Sequence, residues 1–114
     1  MSSKWKVEFY READGDEPVK TYLNSIVKKD RAILLATIDR LRRLGPEIQG
    51  TKMDGLIEGS IRELRKDRHR ILYGRDGDTF VLLSAFLKRT PKTPLEEKNL
   101  AKNRFEQYLN QRNS

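Results

Sequence analysis

The sequence contains no cysteine, one histidine and no long apolar run. The lack of cysteine excludes disulfide bonds and thiolate metal sites. A membrane-spanning helix needs about 20 consecutive, mostly apolar residues, and no such stretch occurs in the sequence. The N-terminal residues also lack the apolar core of a secretory signal, so we expect the protein to lie in the cytoplasm.

A single histidine limits the catalytic chemistry that the chain can support. The chain has no pair of histidines that could act as general acid and general base, and one histidine is too few for a typical zinc site. The acidic residues are not spaced as metal ligands on adjacent strands. We therefore expect neither a metal nor any other cofactor.

Positive charge is abundant and unevenly distributed. The 114 residues include 24 Lys and Arg against 17 Asp and Glu, which gives a formal net charge of +7. Residues 59–94 alone hold nine cationic and four acidic side chains. Such a segment attracts phosphate polymers, acidic protein surfaces or anionic lipid, although a solvated basic surface with no ligand fits the composition as well.

Hydrophobic periodicity predicts a single α+β domain over residues 1–114, in the order β-α-α-β-β-β-α. Residues 5–10 alternate between apolar and polar as a strand does. The apolar spacing in residues 17–27 and 30–44 predicts two amphipathic helices, joined tightly as an antiparallel hairpin. Residues 45–60 contain four glycines, which predicts a connecting loop.

A small antiparallel sheet and a C-terminal helix complete the predicted fold. Residues 80–87 are apolar at both odd and even positions, which indicates an interior strand covered on both faces. The proline-marked residues 88–94 predict an exposed turn, and the last helix begins at its end. The two other strands are predicted at residues 60–66 and 69–75.

The predicted strands carry much of their positive charge on one face. Arg68 and Arg70 share one parity and Arg65 lies opposite them on the preceding strand, while Lys88 and Arg89 follow the last strand. A small antiparallel sheet that packs helices on one face leaves its other face partly open. Because unpaired guanidinium groups are rarely buried, we expect these cations to converge on that open face.

Four short motifs follow one another in residues 63–94. They are Glu63-Leu64-Arg65, Arg70-Ile71-Leu72-Tyr73, Phe86-Leu87-Lys88-Arg89 and Thr90-Pro91-Lys92-Thr93-Pro94. In this order, and together with the N-terminal strand and helical hairpin, they resemble the phage-derived Gp49-like branch of the RelE/ParE toxin superfamily, the HigB-type toxins. The resemblance implies a RelE-like fold and a type II toxin that cuts mRNA on the ribosome.

The resemblance also implies the partners of the protein. A cognate helix-turn-helix antitoxin would neutralise the toxin, either by covering its cationic face or by making it too bulky for the ribosomal site. The toxin itself would act on mRNA at the small ribosomal subunit, and no membrane would be involved.

Metal-independent cleavage of RNA proceeds by attack of a 2′-OH on the adjacent phosphorus. Negative charge builds on the phosphate oxygens, and arginine and lysine side chains neutralise it. We expect Arg65, Arg70 and Lys88 to bind this phosphate, and Lys92 to act beside them as a contact, a base or an acid. We expect further RNA contacts from Arg62, Arg68, His69, Phe86 and Arg89.

The residues leave the general base undecided. Glu63 shares parity with Arg65 and is either the base or a salt-bridge partner of the neighbouring arginines. His69 is the residue type most often used as a base, but its parity points away from Arg70. Phe86 either stacks on a nucleobase or anchors the end of its strand in the core.

Three other functions fit the same residues. A ParE-like protein of the same fold would poison DNA gyrase by protein contact, and that branch generally lacks a dense cationic cluster on the sheet. A plain nucleic-acid-binding module would bind RNA or DNA without cleaving it. A degenerate toxin would act only as the partner in an autoregulatory complex.

Overall fold

The chain forms five strands and three α-helices in the computed structural model, which describes residues 4–112. In chain order the elements are β1 (Lys6–Phe9), α1 (Pro18–Ser25), α2 (Lys28–Leu44), a 3₁₀ turn (Gly45–Ile48), β2 (Asp54–Glu58), β3 (Ile61–Lys66), β4 (His69–Asp76), β5 (Thr79–Leu87) and α3 (Leu95–Arg112). No helix within the described residues is long and apolar enough to cross a membrane.

The strands pair in the order β1-β5-β4-β3-β2 within one sheet. β1 runs parallel to β5, and the remaining neighbours are antiparallel. A parallel pair is possible here because a long stretch of chain connects the two strands. The predicted α+β class is therefore confirmed, and the arrangement fits a RelE-like fold.

Strand β2 is the main difference from the sequence-based prediction, which treated residues 45–60 as a loop. Asp54 is buried while Leu56 and Glu58 are exposed, so the segment lacks the apolar alternation of a half-buried strand. β2 lies at the edge of the sheet, pairs only with β3 and shifts register between Leu56 and Glu58. Such an edge strand is stabilised by its backbone hydrogen bonds to the neighbouring strand, so the periodicity of its side chains does not predict it.

Each face of the sheet packs against its own hydrophobic core. The α1–α2 hairpin covers the first face, where Leu34 of α2 packs in the same core as Phe80 of β5. Helix α3 covers part of the second face, where Phe105 packs in the same core as Val81 of β5. β5 therefore supplies apolar side chains to both cores, which confirms its prediction as an interior strand.

Helix α3 lies close to the sheet because β4 has a glycine beneath it. A Cβ atom on Gly74 would lie 2.8 Å from the ring of Phe105, closer than packed carbon atoms approach. Further along the same face, Arg65 of β3 keeps 41% of its side chain exposed. α3 therefore leaves one end of the second face open, and the candidate site lies there.

All four tyrosines of the chain hold their protons more firmly in the folded state than free tyrosine does. Burial is the largest cause and raises the pKa of Tyr10, Tyr22, Tyr73 and Tyr108, that of Tyr108 to about 12. Neighbouring carboxylates raise these pKa values further. The clearest case is Asp54, which accepts a 2.6 Å hydrogen bond from the Tyr73 hydroxyl.

We expect the fold to lose stability at alkaline pH as a result. The unfolded chain releases its phenolic protons near the ordinary tyrosine pKa of about 10, before the folded chain does. The stabilisation is therefore complete below about pH 10 and is lost as the pH rises above it. Ultraviolet titration should detect phenolate at a higher pH in native than in denatured protein, and coinciding curves would contradict this packing.

Candidate functional site

A groove of about 740 Å³ opens on the second face, between the β2–β3 pair and residues 88–98. We call it the cationic groove, because its charged lining consists of Arg65, Lys88, Lys92, Lys98 and the single carboxylate of Glu63. Its volume is in the range of sites that bind small ligands. The rest of the lining is mostly apolar and comes from Leu56, Ile57, Pro91, Pro94 and Leu95, with Thr90 and Thr93.

Glu63 is a buried carboxylate that joins three parts of the structure. Only 1% of its side chain is exposed. Its Oε2 accepts a 2.8 Å hydrogen bond from Nε of Arg65, and its Oε1 accepts one of 3.3 Å from the Thr93 hydroxyl. Oε1 also lies 3.8 Å from Nε of Arg70. One carboxylate therefore holds side chains from β3, β4 and the turn at residues 88–94.

Arg65 is both held in place and open to a ligand. Its Nε is fixed by Glu63, while its Nη nitrogens make no hydrogen bond within the described residues. The side chain lines the cationic groove. A guanidinium with two free N–H groups can bind a phosphate in bidentate fashion, so Arg65 has the arrangement that an anion ligand needs.

The guanidinium of Arg65 lies across β2 because residue 55 has no side chain. Gly55 pairs with Glu63 in the β2–β3 register. A Cβ atom on Gly55 would lie 2.1 Å from Nη2 of Arg65, a distance at which the two atoms would overlap. Gly55 therefore leaves the space that this guanidinium occupies.

Three lysines supply the rest of the positive charge of the groove. Lys88 follows β5 directly, and its backbone N–H donates a 2.7 Å hydrogen bond to the carbonyl of Arg68. Lys92 is exposed in the turn, and Lys98 lies in the first turns of α3. Among residues 4–112, neither Lys88 nor Lys92 forms a salt bridge, and no three His, Asp or Glu side chains converge as possible metal ligands.

Arg70 makes its contacts within the protein, although the sequence predicted that it binds phosphate. Its side chain is only 14% exposed and does not line the cationic groove. Its Nη1 donates hydrogen bonds of 2.7 and 2.9 Å to the carbonyls of Asp67 and His69. These bonds brace the β3–β4 turn, where Asp67 has the left-handed φ of 55°. Arg70 is therefore committed to the backbone and to Glu63.

Arg62 lies on the opposite face of the sheet from Arg65. Its Nε and Nη2 donate to the carboxylate of Asp54, which is fully buried and also accepts the Tyr73 hydroxyl. This carboxylate raises the pKa of Arg62. Because side chains alternate along a strand, Arg62 and Arg65 point to opposite faces. Arg62 therefore lies away from the cationic groove and is paired with Asp54, and its expected RNA contact stays a prediction without support from the groove.

His69 and Phe86 are both buried, in contrast to the expected RNA contacts. His69 is 8% exposed on the hairpin side, where Nδ1 lies 2.7 Å from the Tyr22 hydroxyl and Nε2 lies 3.3 Å from Asp30. Phe86 is 9% exposed and packs with Phe105 in the core between α3 and the second face of the sheet. Neither ring presents a surface on which a nucleobase could stack.

Arg68 and Arg89 are exposed but lie outside the lining of the cationic groove. Arg68 sits in the β3–β4 turn rather than on a strand, so it does not project beside Arg70 as expected. The two arginines are near each other in the fold, because the residue before Arg89 is bonded to the Arg68 carbonyl. They extend the positive surface beyond the groove.

Sequence reasoning missed the contributions of β2 and α3 to this site. Gly55 and Leu56 lie in a strand that had been assigned to a loop. Leu95 and Lys98 lie in the first turns of α3, directly after the turn at residues 88–94. Their place could have been inferred, because a helix that starts at the end of a site loop keeps its first turn beside that loop.

Residues 21–106 match the family model described as phage-derived protein Gp49-like. The chain belongs to the Gp49-like family. This family is associated with the toxins of toxin–antitoxin systems. The part of the Gp49-like chain that matches runs from α1 into α3 and contains every residue that lines the cationic groove. A comparison with curated proteins found no match.

Gly55→Ala should weaken anion binding without unfolding the chain. The added methyl group would displace the flexible end of Arg65, and the loss of one charge-assisted contact should lower the affinity for a short RNA about tenfold. Fluorescence titration and thermal denaturation would measure the two effects. Gly74→Ala is the contrasting variant, because its methyl group meets the buried Phe105 ring and should lower thermal stability. Unchanged RNA affinity in Gly55→Ala would contradict this role of Gly55.

Proposed function

We propose that this Gp49-like protein is a HigB-type toxin of a type II toxin–antitoxin system, an endoribonuclease that cleaves mRNA on the ribosome without a metal cofactor. The observation that carries the proposal is the Arg65 guanidinium, oriented by buried Glu63 and open to a groove that also holds Lys88 and Lys92. Such a concentration of cations suits a phosphate whose negative charge increases during the reaction.

The proposed reaction joins the 2′-oxygen of one nucleotide to the adjacent phosphorus and breaks the bond from phosphorus to the 5′-oxygen of the next. The products are a 2′,3′-cyclic phosphate and a free 5′-OH, and the proton of the attacking 2′-OH would pass to solvent water. Arg65 would bind the non-bridging oxygens through its Nη groups, and Lys88 would add its charge at the end of β5. Arg70 would act indirectly, because it shares Glu63 with Arg65.

Fewer side chains in the cationic groove are suited to proton transfer than to neutralising the charge of the phosphate. Glu63 is fully buried and both of its oxygens contact other side chains, so we do not assign it as the base. Lys92 is exposed on the turn beside Arg65 and Lys88, and we propose that it transfers a proton at the leaving 5′-oxygen. The ribosome would supply the geometry for 2′-OH attack, which accounts for much of the rate in such reactions.

The proposed partners follow from the same placement of charge. The small ribosomal subunit would bind Arg68 and Arg89, which are exposed just outside the groove, through ribosomal RNA phosphates. A cognate helix-turn-helix antitoxin would neutralise the toxin, in keeping with the family association.

Cleavage of an endogenous mRNA after inducible expression tests the proposal. Primer extension should show cuts within translated codons that disappear when the message is not translated. Arg65→Ala and Lys88→Ala should each reduce cleavage about 100-fold, because each removes a charge from the transition state. Arg40→Ala removes an exposed cation of α2 and should cleave like the unmodified protein.

Two results would contradict the proposal. Full cleavage of mRNA by the Arg65→Ala variant would mean that the cationic groove takes no part in the reaction. Intact mRNA together with a DNA-damage response would instead favour a gyrase-poisoning toxin of the same fold.

A further inference from the structure

The Thr93 side chain fastens the turn at residues 88–94 to the sheet. Its hydroxyl donates a 3.3 Å hydrogen bond to Oε1 of Glu63, and the side chain is half-buried. The other end of the turn is held where the Lys88 backbone N–H donates to the Arg68 carbonyl at 2.7 Å. The turn is therefore fixed at both ends, once through the backbone and once through a side-chain hydroxyl.

Between these two ends the turn has little conformational freedom. The Thr90 hydroxyl donates a 2.9 Å hydrogen bond to the Lys92 carbonyl inside the turn. Pro91 and Pro94 have fixed φ angles, which reduces the number of conformations available to the chain. The position of Lys92 on the cationic groove therefore depends on how the two ends of the turn are attached.

The Glu63 carboxylate connects this turn to the arginine that the proposed function assigns to the phosphate. Its Oε2 accepts from Nε of Arg65, while its Oε1 accepts from Thr93. One buried group therefore sets the position of Arg65 on β3 and the position of the turn that carries Lys92. The rate of a proton transfer depends strongly on such fixed geometry between the reacting groups.

We propose that Thr93 is a positioning residue, whose hydroxyl holds the turn so that Lys92 faces the phosphate bound by Arg65. This inference rests on the proposed function and adds to it the residue that places the proton-transferring lysine. In this role Thr93 contacts no reacting atom. Loss of the hydroxyl should slow cleavage and leave RNA affinity nearly unchanged, because Arg65 keeps its own hydrogen bond to Glu63.

Thr93→Val and Thr93→Ser test the role of the hydroxyl. Valine is similar in shape to threonine but lacks the hydroxyl, whereas serine keeps it. On ribosomes that translate a short message, Thr93→Val should slow single-turnover cleavage about tenfold, and Thr93→Ser should stay within about twofold of the unmodified protein. Both variants should bind RNA with blocked 2′-OH groups as tightly as the unmodified protein does.

Combining Thr93→Val with Lys92→Ala shows whether Thr93 acts through the lysine. If it does, the double variant should cleave no more slowly than Lys92→Ala alone, because the hydroxyl then has no amine to place. Losses that multiply would assign Thr93 to another part of the site and would overturn the inference.

Thr21→Val is the matched control for the loss of a threonine hydroxyl. The Thr21 hydroxyl also donates to a carboxylate, that of Asp16, at a distance of 2.7 Å. It lies in the first turn of α1 and outside the cationic groove. This variant should therefore cleave mRNA like the unmodified protein.

Thermal denaturation and NMR relaxation measure the structural effect of Thr93→Val. The variant should stay folded, because Glu63 keeps Arg65 and lies near Nε of Arg70, a buried N–H without a hydrogen bond in the described part of the chain. The amides of residues 88–93 should become more mobile on the nanosecond timescale in Thr93→Val and not in Thr93→Ser. This measurement needs no cleavage activity.

Three further results would overturn the role of Thr93. They are full-speed cleavage by Thr93→Val, equal slowing by Thr93→Val and Thr93→Ser, and a turn whose mobility does not change. If Arg65→Ala loses cleavage but Thr93→Val does not, the proposed function stands and this inference fails. If the unmodified protein does not cleave mRNA, the proposed nuclease function fails, and the relaxation data alone decide whether Thr93 holds the turn.

Discussion

The buried carboxylate of Glu63 is the interaction on which the cationic groove depends. A carboxylate that is 1% exposed is stable only when charged or hydrogen-bonding groups surround it. Arg65, Arg70 and Thr93 meet this need, and they come from β3, β4 and the turn after β5. The requirement to pair one buried charge therefore brings three segments together. Because two guanidinium groups share a single carboxylate, positive charge remains for a ligand.

The alternation of side chains along β3 divides its arginines between structure and ligand binding. Arg62 points to the hairpin side, where Asp54 pairs with its guanidinium and also accepts the Tyr73 hydroxyl. Arg65 points to the other side, where only its Nε is bonded and its Nη groups remain open. The same residue type on one strand thus supports the core in one case and lines a groove in the other. The local density of positive charge in the sequence does not distinguish these two roles.

The features that were predicted correctly from the sequence are those set by a few neighbouring residues. The helical hairpin, the interior strand β5 and the parity of Arg65 follow from periodicities of a few residues, and the structure contains all three. β2 carries no such pattern because an edge strand is held by its backbone. The role of Arg70 depends on carbonyls in a left-handed turn, and the role of Gly55 depends on where Arg65 lies. These are contacts between segments, which composition and spacing do not encode.

The position of a bound RNA is the most direct test of the claim that the cationic groove holds the phosphate. An NMR titration of isotope-labelled protein with single-stranded RNA whose 2′-OH groups are blocked would map it. We expect amide shifts at residues 54–65 and 88–98, which weaken as salt is added because phosphate contacts release counterions. Shifts confined to the α1–α2 face around His69 would contradict the assignment of the groove.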